Sequence, residues 1–147
     1  VRVGGGHNHR SDLSSGILIK DNHVALVGSV REAVRRARAN ATHSLRIEVE
    51  VDSMSQLDEA LEAGAEAVLL DNFATRDIVD AVKRVRDRAP RTLIEVSGGG
   101  TLDRMHELAK TGADIISVGS LTHSARAVDL SMEIRPVVAG RMAAAER

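Results

Sequence analysis

Short runs of β-branched and aliphatic residues alternate along the chain with longer segments whose apolar positions recur every three to four residues. Ile17 to Lys20, Arg46 to Val51, Ala67 to Leu70, Thr92 to Val96 and Asp114 to Val118 read as strands. Between them, Ser29 to Ala39 places Val30, Ala33, Val34 and Ala37 on one helical face, and Asp77 to Arg88 does the same with Ile78, Val79, Val82 and Val85, ending before Pro90. Ser55 is the expected N-cap of another helix, with Leu57, Ala60 and Leu61 inward and Gly64 as its stop. Thr101 is expected to cap a helix carrying Leu102, Met105, Leu108 and Ala109, closed by Gly112. Arg126 to Arg147 reads as a further helix around Leu130 and Ile134, a break at Pro136 and an Ala-rich helical or frayed tail.

Strand starts recur about every 20 to 30 residues, the length of one strand, loop and helix, so the pattern is a βα succession with a parallel sheet. Two architectures fit five such strands: a doubly wound flavodoxin-like sheet or part of a (β/α) barrel. In Arg46-Ile-Glu-Val-Glu-Val-Asp52 every second residue is charged. A sheet covered by helices on both faces reads almost continuously apolar, whereas a barrel with a polar interior accepts the alternation. Polar groups also collect at the strand ends, at Lys20, Glu50, Asp71, Ser97 and Gly119, the face on which barrel sites are built. The expected fold is therefore an incomplete α/β barrel over residues 1–135, followed by a tail at 136–147. About eight strands close such a barrel, and the chain starts at Val1 and not Met, so it is expected to be a fragment lacking one or more N-terminal units.

The 147 residues contain 43% apolar and 28% charged residues with a net charge of −1, which fits a globular protein and excludes a polybasic nucleic-acid arm. No apolar run approaches the roughly 20 residues of a membrane span. Phe73 is the single aromatic residue and there is no Cys, so aromatic cages, base stacking and thiolate catalysis are excluded. A ligand must be held by charge and hydrogen bonds.

Four constellations offer that chemistry. Gly4-Gly-Gly-His-Asn-His-Arg10 is a glycine loop running into cationic side chains; alone it reads equally as a flexible loop. Lys20 closes an apolar strand in a chain with only two other lysines, Lys83 and Lys110. It is a candidate Schiff-base nucleophile, an anion clamp, or the partner of Glu48 or Glu50 in an ion pair. His23 beyond it reads as a hydrogen-bonded loop residue. Glu50 and Asp71, at the ends of consecutive strands, suit a hard cation such as Mg²⁺ or a developing positive charge, while Glu48 and Asp52 are assigned to interior ion pairs. No His or Cys pair stands at zinc spacing. Ser97-Gly-Gly-Gly-Thr101 and Gly119-Ser-Leu-Thr-His123 follow the last two strands, and small-residue turns of this kind form the usual phosphate cup of a barrel.

Gly4-Gly-Gly-His-Asn-His-Arg10, Leu18-Ile-Lys-Asp-Asn-His23, Glu48-Val-Glu-Val-Asp52, Leu70-Asp-Asn-Phe73, Glu95-Val-Ser-Gly-Gly99 and Val118-Gly-Ser-Leu-Thr-His-Ser124 together resemble, in their order, the quinolinate phosphoribosyltransferase family. The resemblance runs to about Ile134 and implies a type II phosphoribosyltransferase barrel. It implies transfer of phosphoribosyl from phosphoribosyl pyrophosphate to quinolinate with loss of CO₂, giving nicotinate mononucleotide and pyrophosphate, with Mg²⁺, in cytoplasmic NAD synthesis. By similarity, His9, Arg10 and Lys20 grip the pyridine dicarboxylate, and Lys20, Glu50 and Asp71 are the catalytic set. Glu50 and Asp71 also meet the ribose and Mg²⁺, while Ser97, Gly98, Gly99, Gly119, Ser120, Leu121 and His123 cradle the ribose phosphate. Family members carry an N-terminal α+β domain and a Thr-Arg-Lys-Thr strand, both absent before Val1, and form homodimers or higher homo-oligomers. No nucleic acid or membrane partner is implied. Three alternatives stand beside this reading: an inactive phosphate-binding half-barrel, a related transferase with another anionic acceptor, and a Lys20 Schiff-base aldolase.

Overall fold

A computed structural model describes residues 1–136. Five strands, β1 (Ile17–Ile19), β2 (Ile47–Val51), β3 (Ala67–Asp71), β4 (Leu93–Ser97) and β5 (Ile115–Ile116), form one parallel sheet in the order of the chain. The helices are α1 (Asp21–Val27), α2 (Val30–Asn40), α3 (Met54–Glu62), α4 (Thr75–Arg88), α5 (Leu102–Leu108) and α6 (Ser120–His123). The strand order separates the two candidate architectures. A doubly wound sheet reverses direction at a switch point, whereas neighbours added one after another through right-handed crossovers keep their helices on one face. This is an open segment of a barrel wall.

The register assigns each strand residue to a face. Ile47 pairs with Ile17, Val49 with Ile19 and Val68, Val51 with Leu70, Val68 with Ile94, and Leu70 with Val96. These residues, nearly all fully buried, form one core with Val30, Val34, Leu57, Ala60, Ile78, Ala81, Val85 and Leu108 of the helices. The other face carries Leu18 beside Glu48, Glu50 beside Leu69, Leu69 beside Glu95, and Asp71 beside Ser97. The charge alternation in β2 thus belongs to the sheet's concave, barrel-interior side. Phe73 is buried in the helix-side core just past β3.

At the end where strands begin, one device occurs twice. Glu66 accepts from the Ile47 N–H at 2.9 Å and from Arg38 of α2 at 2.8 Å. Asp114 accepts from the Ile94 N–H at 2.8 Å and from Arg86 of α4 at 2.7 Å. Burial pushes both carboxyls up, but the guanidinium and backbone N–H outweigh it and hold each below its ordinary range.

Several sequence expectations are corrected. The α3 cap is Ser53 and not Ser55: the Ser53 Oγ accepts from the Gln56 N–H at 3.4 Å. Helix α1 presents only Val24 and Val27, partly buried, to the core; it is started by Lys20, whose N–H bonds His23 Nδ1 at 2.9 Å. Thr101 precedes α5 without a side-chain cap bond, and β5 is confined to Ile115–Ile116. The helix expected around Leu130 and Ile134 is absent: residues 125–136 have no regular structure, and both side chains are more than 80% exposed. A short helix without a packed face lacks the burial that stabilises it. The tail expected over the last residues lies, from 137 onward, outside the described residues.

Candidate functional site

The polar ends of β1 to β4 meet at the mouth of the interior face. Lys20 Nζ donates to Glu50 Oε2 at 2.8 Å, joining β1 to β2. Glu50 raises the Lys20 pKa through this bond, against a smaller opposing effect of burial, with Asp21 and Asp71 adding to the rise. Lys20 is therefore a firmly held ammonium, suited to clamp an anion and unsuited to the neutral amine that Schiff-base chemistry needs. Of the ion-pair partners left open for it, Glu50 is the one found.

Asp71 stands beside Ser97 in the register of β3 and β4. The next residue, Asn72, donates from Nδ2 to Asp71 Oδ2 at 2.7 Å, and its backbone N–H bonds the Ser97 carbonyl at 3.1 Å. Gly98 and Gly99 follow with φ of +88° and +59°. At Gly98 a Cβ would fall 2.2 Å from Asn72 Oδ1, so glycine is required both by conformation and by contact. Arg104 of α5 closes this loop, Nη1 donating to the Gly99 carbonyl at 3.1 Å. The Gly119–His123 segment lies on the adjacent loop, where a Cβ on Gly100 would touch Val118 and the Ser117 carbonyl. Ser120, Leu121 and His123 form the short helix α6 with Leu121 exposed, and His123 bonds Ser124 Oγ at 2.8 Å, not the Ser97–Gly99 loop.

Deeper in the interior lies a cluster that the order of motifs did not reveal. His9 Nε2 is 3.6 Å from Glu48 and 3.5 Å from Glu95, and Ser117 Oγ donates to Glu95 Oε1 at 2.5 Å. Glu95 is 3% exposed. Burial, reinforced by the Glu95 carboxylate, pushes Glu48 up to about 7, with Arg10 and Arg46 opposing. Glu48 thus sits with a histidine and a second acid in place of a simple interior ion pair, and Asp52 is exposed and joins no ion pair among the described residues. The His9, Glu48 and Glu95 ligand atoms lie within 4.8 Å of one another. Spacing rules overlooked them because the set combines a loop residue with strands two apart in the sheet. Arg10 itself donates to the Gly16 carbonyl at 3.3 Å.

Glu50 and Asp71 are the residues at the mouth that could hold a hard cation. Lys20 occupies one Glu50 oxygen and Asn72 one Asp71 oxygen, leaving Oε1 and Oδ1 without a hydrogen bond among the described residues. One or two such carboxylate oxygens are the ligands that a mostly hydrated Mg²⁺ takes.

The family described as quinolinate phosphoribosyl transferase, C-terminal domain, matches residues 1–133. Among curated proteins, the nicotinate-nucleotide pyrophosphorylase (carboxylating) of Mycobacterium leprae is 51% identical over 134 residues, 91% of this chain and 47% of that protein. Its namesake from Homo sapiens is 41% identical over 132 residues, 90% and 44% respectively. The structure of the nicotinate-nucleotide pyrophosphorylase from Francisella tularensis superposes with a TM-score of 0.79 at 41% identity, covering 88% of this chain and 45% of that one. The chain spans about half the length of the relatives it matches.

Proposed function

The chain belongs to the quinolinate phosphoribosyltransferase family, within its C-terminal domain, and from that premise we propose that it forms the phosphoribosyl-binding side of an enzyme making nicotinate mononucleotide, pyrophosphate and CO₂ from quinolinate and phosphoribosyl pyrophosphate. The observation that carries the reading is the junction of Lys20–Glu50, Asp71–Asn72 and the Ser97–Gly99 loop at one end of the interior face.

Each group has a role that its chemistry favours. Lys20 and Arg10 supply cations, and His9 a hydrogen-bonding imidazole, for a pyridine dicarboxylate. Glu50 and Asp71 face the ribose, where the bond to pyrophosphate breaks ahead of bonding to the pyridine nitrogen and positive charge develops on the sugar carbon; nearby carboxylates stabilise that charge in the transition state. The backbone N–H groups of Ser97–Gly99, with Gly119, Ser120, Leu121 and His123 on the neighbouring loop, receive the ribose phosphate. Bound Mg²⁺ would offset the charge of the pyrophosphate, held through Glu50 and Asp71. The same reading extends to a homodimer or higher homo-oligomer in the cytoplasm; among the described residues no helix is long and apolar enough to cross a membrane.

The test is an assay of the full gene product with quinolinate, phosphoribosyl pyrophosphate and Mg²⁺, following nicotinate mononucleotide by chromatography. Product that disappears with chelator and competes with phthalate is expected. Absence of product, with a different anionic acceptor consumed instead, would replace the reading by that of a related transferase.

A further inference from the structure

Among the described residues, Asn72 is the one non-glycine residue at positive φ, +57°. Such a backbone costs an L-residue free energy unless the surroundings hold it, and asparagine is among the residues that tolerate it. Three contacts hold it here, and each involves a residue of the mouth. Its amide donates to Asp71 Oδ2 at 2.7 Å, its backbone N–H donates to the Ser97 carbonyl at 3.1 Å, and its side chain fills the space that glycine leaves at position 98. The following residue, Phe73, is buried in the core and anchors the turn from the other side. Asn72 is thus wedged between a carboxylate placed for the sugar and the loop placed for the sugar's phosphate, with its own side chain touching both.

We propose that Asn72 is a positioning residue that fixes the Asp71 carboxylate relative to the Ser97–Gly99 loop, so that one rigid unit meets the ribose and the 5′-phosphate of the same donor molecule. The inference rests on the phosphoribosyl reading above. A carboxylate at the end of a strand can rotate about two side-chain bonds. The amide hydrogen bond occupies one oxygen and presents the other, and the packing against Gly98 ties that orientation to the loop. A donor molecule gripped at two points gains only if the distance between them is preset. Lys20 at the mouth bonds Glu50, while Arg10 bonds the Gly16 carbonyl before β1 and His9 lies against Glu48 and Glu95, so none of the three groups proposed for the dicarboxylate touches Asn72.

The backbone and side-chain contributions separate by substitution. Asn72→Gly keeps the left-handed backbone without cost but removes the amide; Asn72→Asp keeps the shape but replaces the donor with a second carboxylate. In the full gene product, Asn72→Gly is expected to weaken phosphoribosyl pyrophosphate, in KM and in calorimetric binding, by about tenfold, the loss of one charge-assisted hydrogen bond. Asn72→Asp is expected to weaken it further. Phthalate binding, measured on the same samples, stays within about twofold of wild type and reports that the mouth is folded. A merely structural turn asparagine would leave Asn72→Gly with wild-type constants for both ligands, and that result overturns the inference while leaving the function intact. Equal weakening of both ligands also overturns it. Wild-type protein that binds no phosphoribosyl pyrophosphate removes the functional reading and the inference together.

Discussion

Lys20 and Glu50 meet at 2.8 Å across neighbouring strands, and the bond favours the cationic form of the lysine at the mouth of the interior face. Lys20→Ala removes a charge-assisted donor, so the KM for a pyridine dicarboxylate should rise about tenfold or more in steady-state assays, with a much smaller change for phosphoribosyl pyrophosphate. Borohydride treatment in the presence of carbonyl compounds should leave Lys20 unmodified by mass spectrometry.

Glu48 gives stability a dependence on pH. Its folded pKa is raised from 4.5 to about 7, first by burial and then by Glu95, so the folded protein retains a proton that the unfolded chain releases in that interval. The contribution is fully present below about 4.5 and is lost as pH rises through about 7. Urea unfolding should show wild type losing on the order of 1–2 kcal/mol between the two ends of this window, after allowance for the water that reaches the group. Glu48→Gln should flatten the profile and unfold at higher urea than wild type above neutrality.

Gly98 and Gly16 should respond oppositely to alanine. At Gly98 the new Cβ would lie 2.2 Å from Asn72 Oδ1 at a φ of +88°, whereas at Gly16 nothing lies within 4 Å. Gly98→Ala is expected to cost about 2 kcal/mol or more, from left-handed strain plus overpacking. Gly16→Ala should be neutral or slightly stabilising, by up to about 1 kcal/mol. Thermal unfolding of the two variants compares them directly.

The clamp at the opposite end of the sheet should be sensitive to acid. Asp114 is held below its ordinary range by Arg86 and the Ile94 N–H despite burial, so its contribution exists above about 3.8 and is lost as pH falls through the lower folded value. Asp114→Ala should cost about 1–2 kcal/mol at neutral pH by urea unfolding. The gap from wild type should close toward strongly acidic pH, where the protonated Asp114 no longer supports the clamp.

How far the sequence anticipates this structure depends on where the controlling contacts lie. The charge alternation of β2 identifies a sheet with one polar face because neighbouring side chains project oppositely. Helices α2 and α4 are legible from their apolar stripes, which reach the core except at Val79: that side chain, expected on the inward face of α4, is 47% exposed, and Ala81 is buried in the stripe instead. Helix α1 and the unstructured stretch around Leu130 escape the same logic in opposite directions: one forms without a buried residue, the other carries apolar residues with nothing to pack on. Lys20 with Glu50, and Asp71 with Ser97, are foreseeable because strand ends share a level in a parallel sheet. The meeting of His9 with Glu48 and Glu95, and the wedge made by Asn72, are not, since each depends on how a loop folds back onto strands that periodicity only counts.

The sheet is one residue thick, and its two sides answer to different demands. In β2 the odd-numbered positions enter the helix-side core and the even-numbered ones the interior; in β3 and β4 the parity is exchanged. A saturation scan scored separately for abundance and for turnover should therefore oscillate with a two-residue period along β2, the two scores in antiphase, and much less along β3, where the interior-facing Ala67 and Leu69 are also buried. Glu95 would break the rhythm, because a buried acid partnered by His9 and Ser117 counts toward both. The interior-facing positions Glu48 and Glu50 of β2 can thus change without touching the hydrophobic core on the helix side.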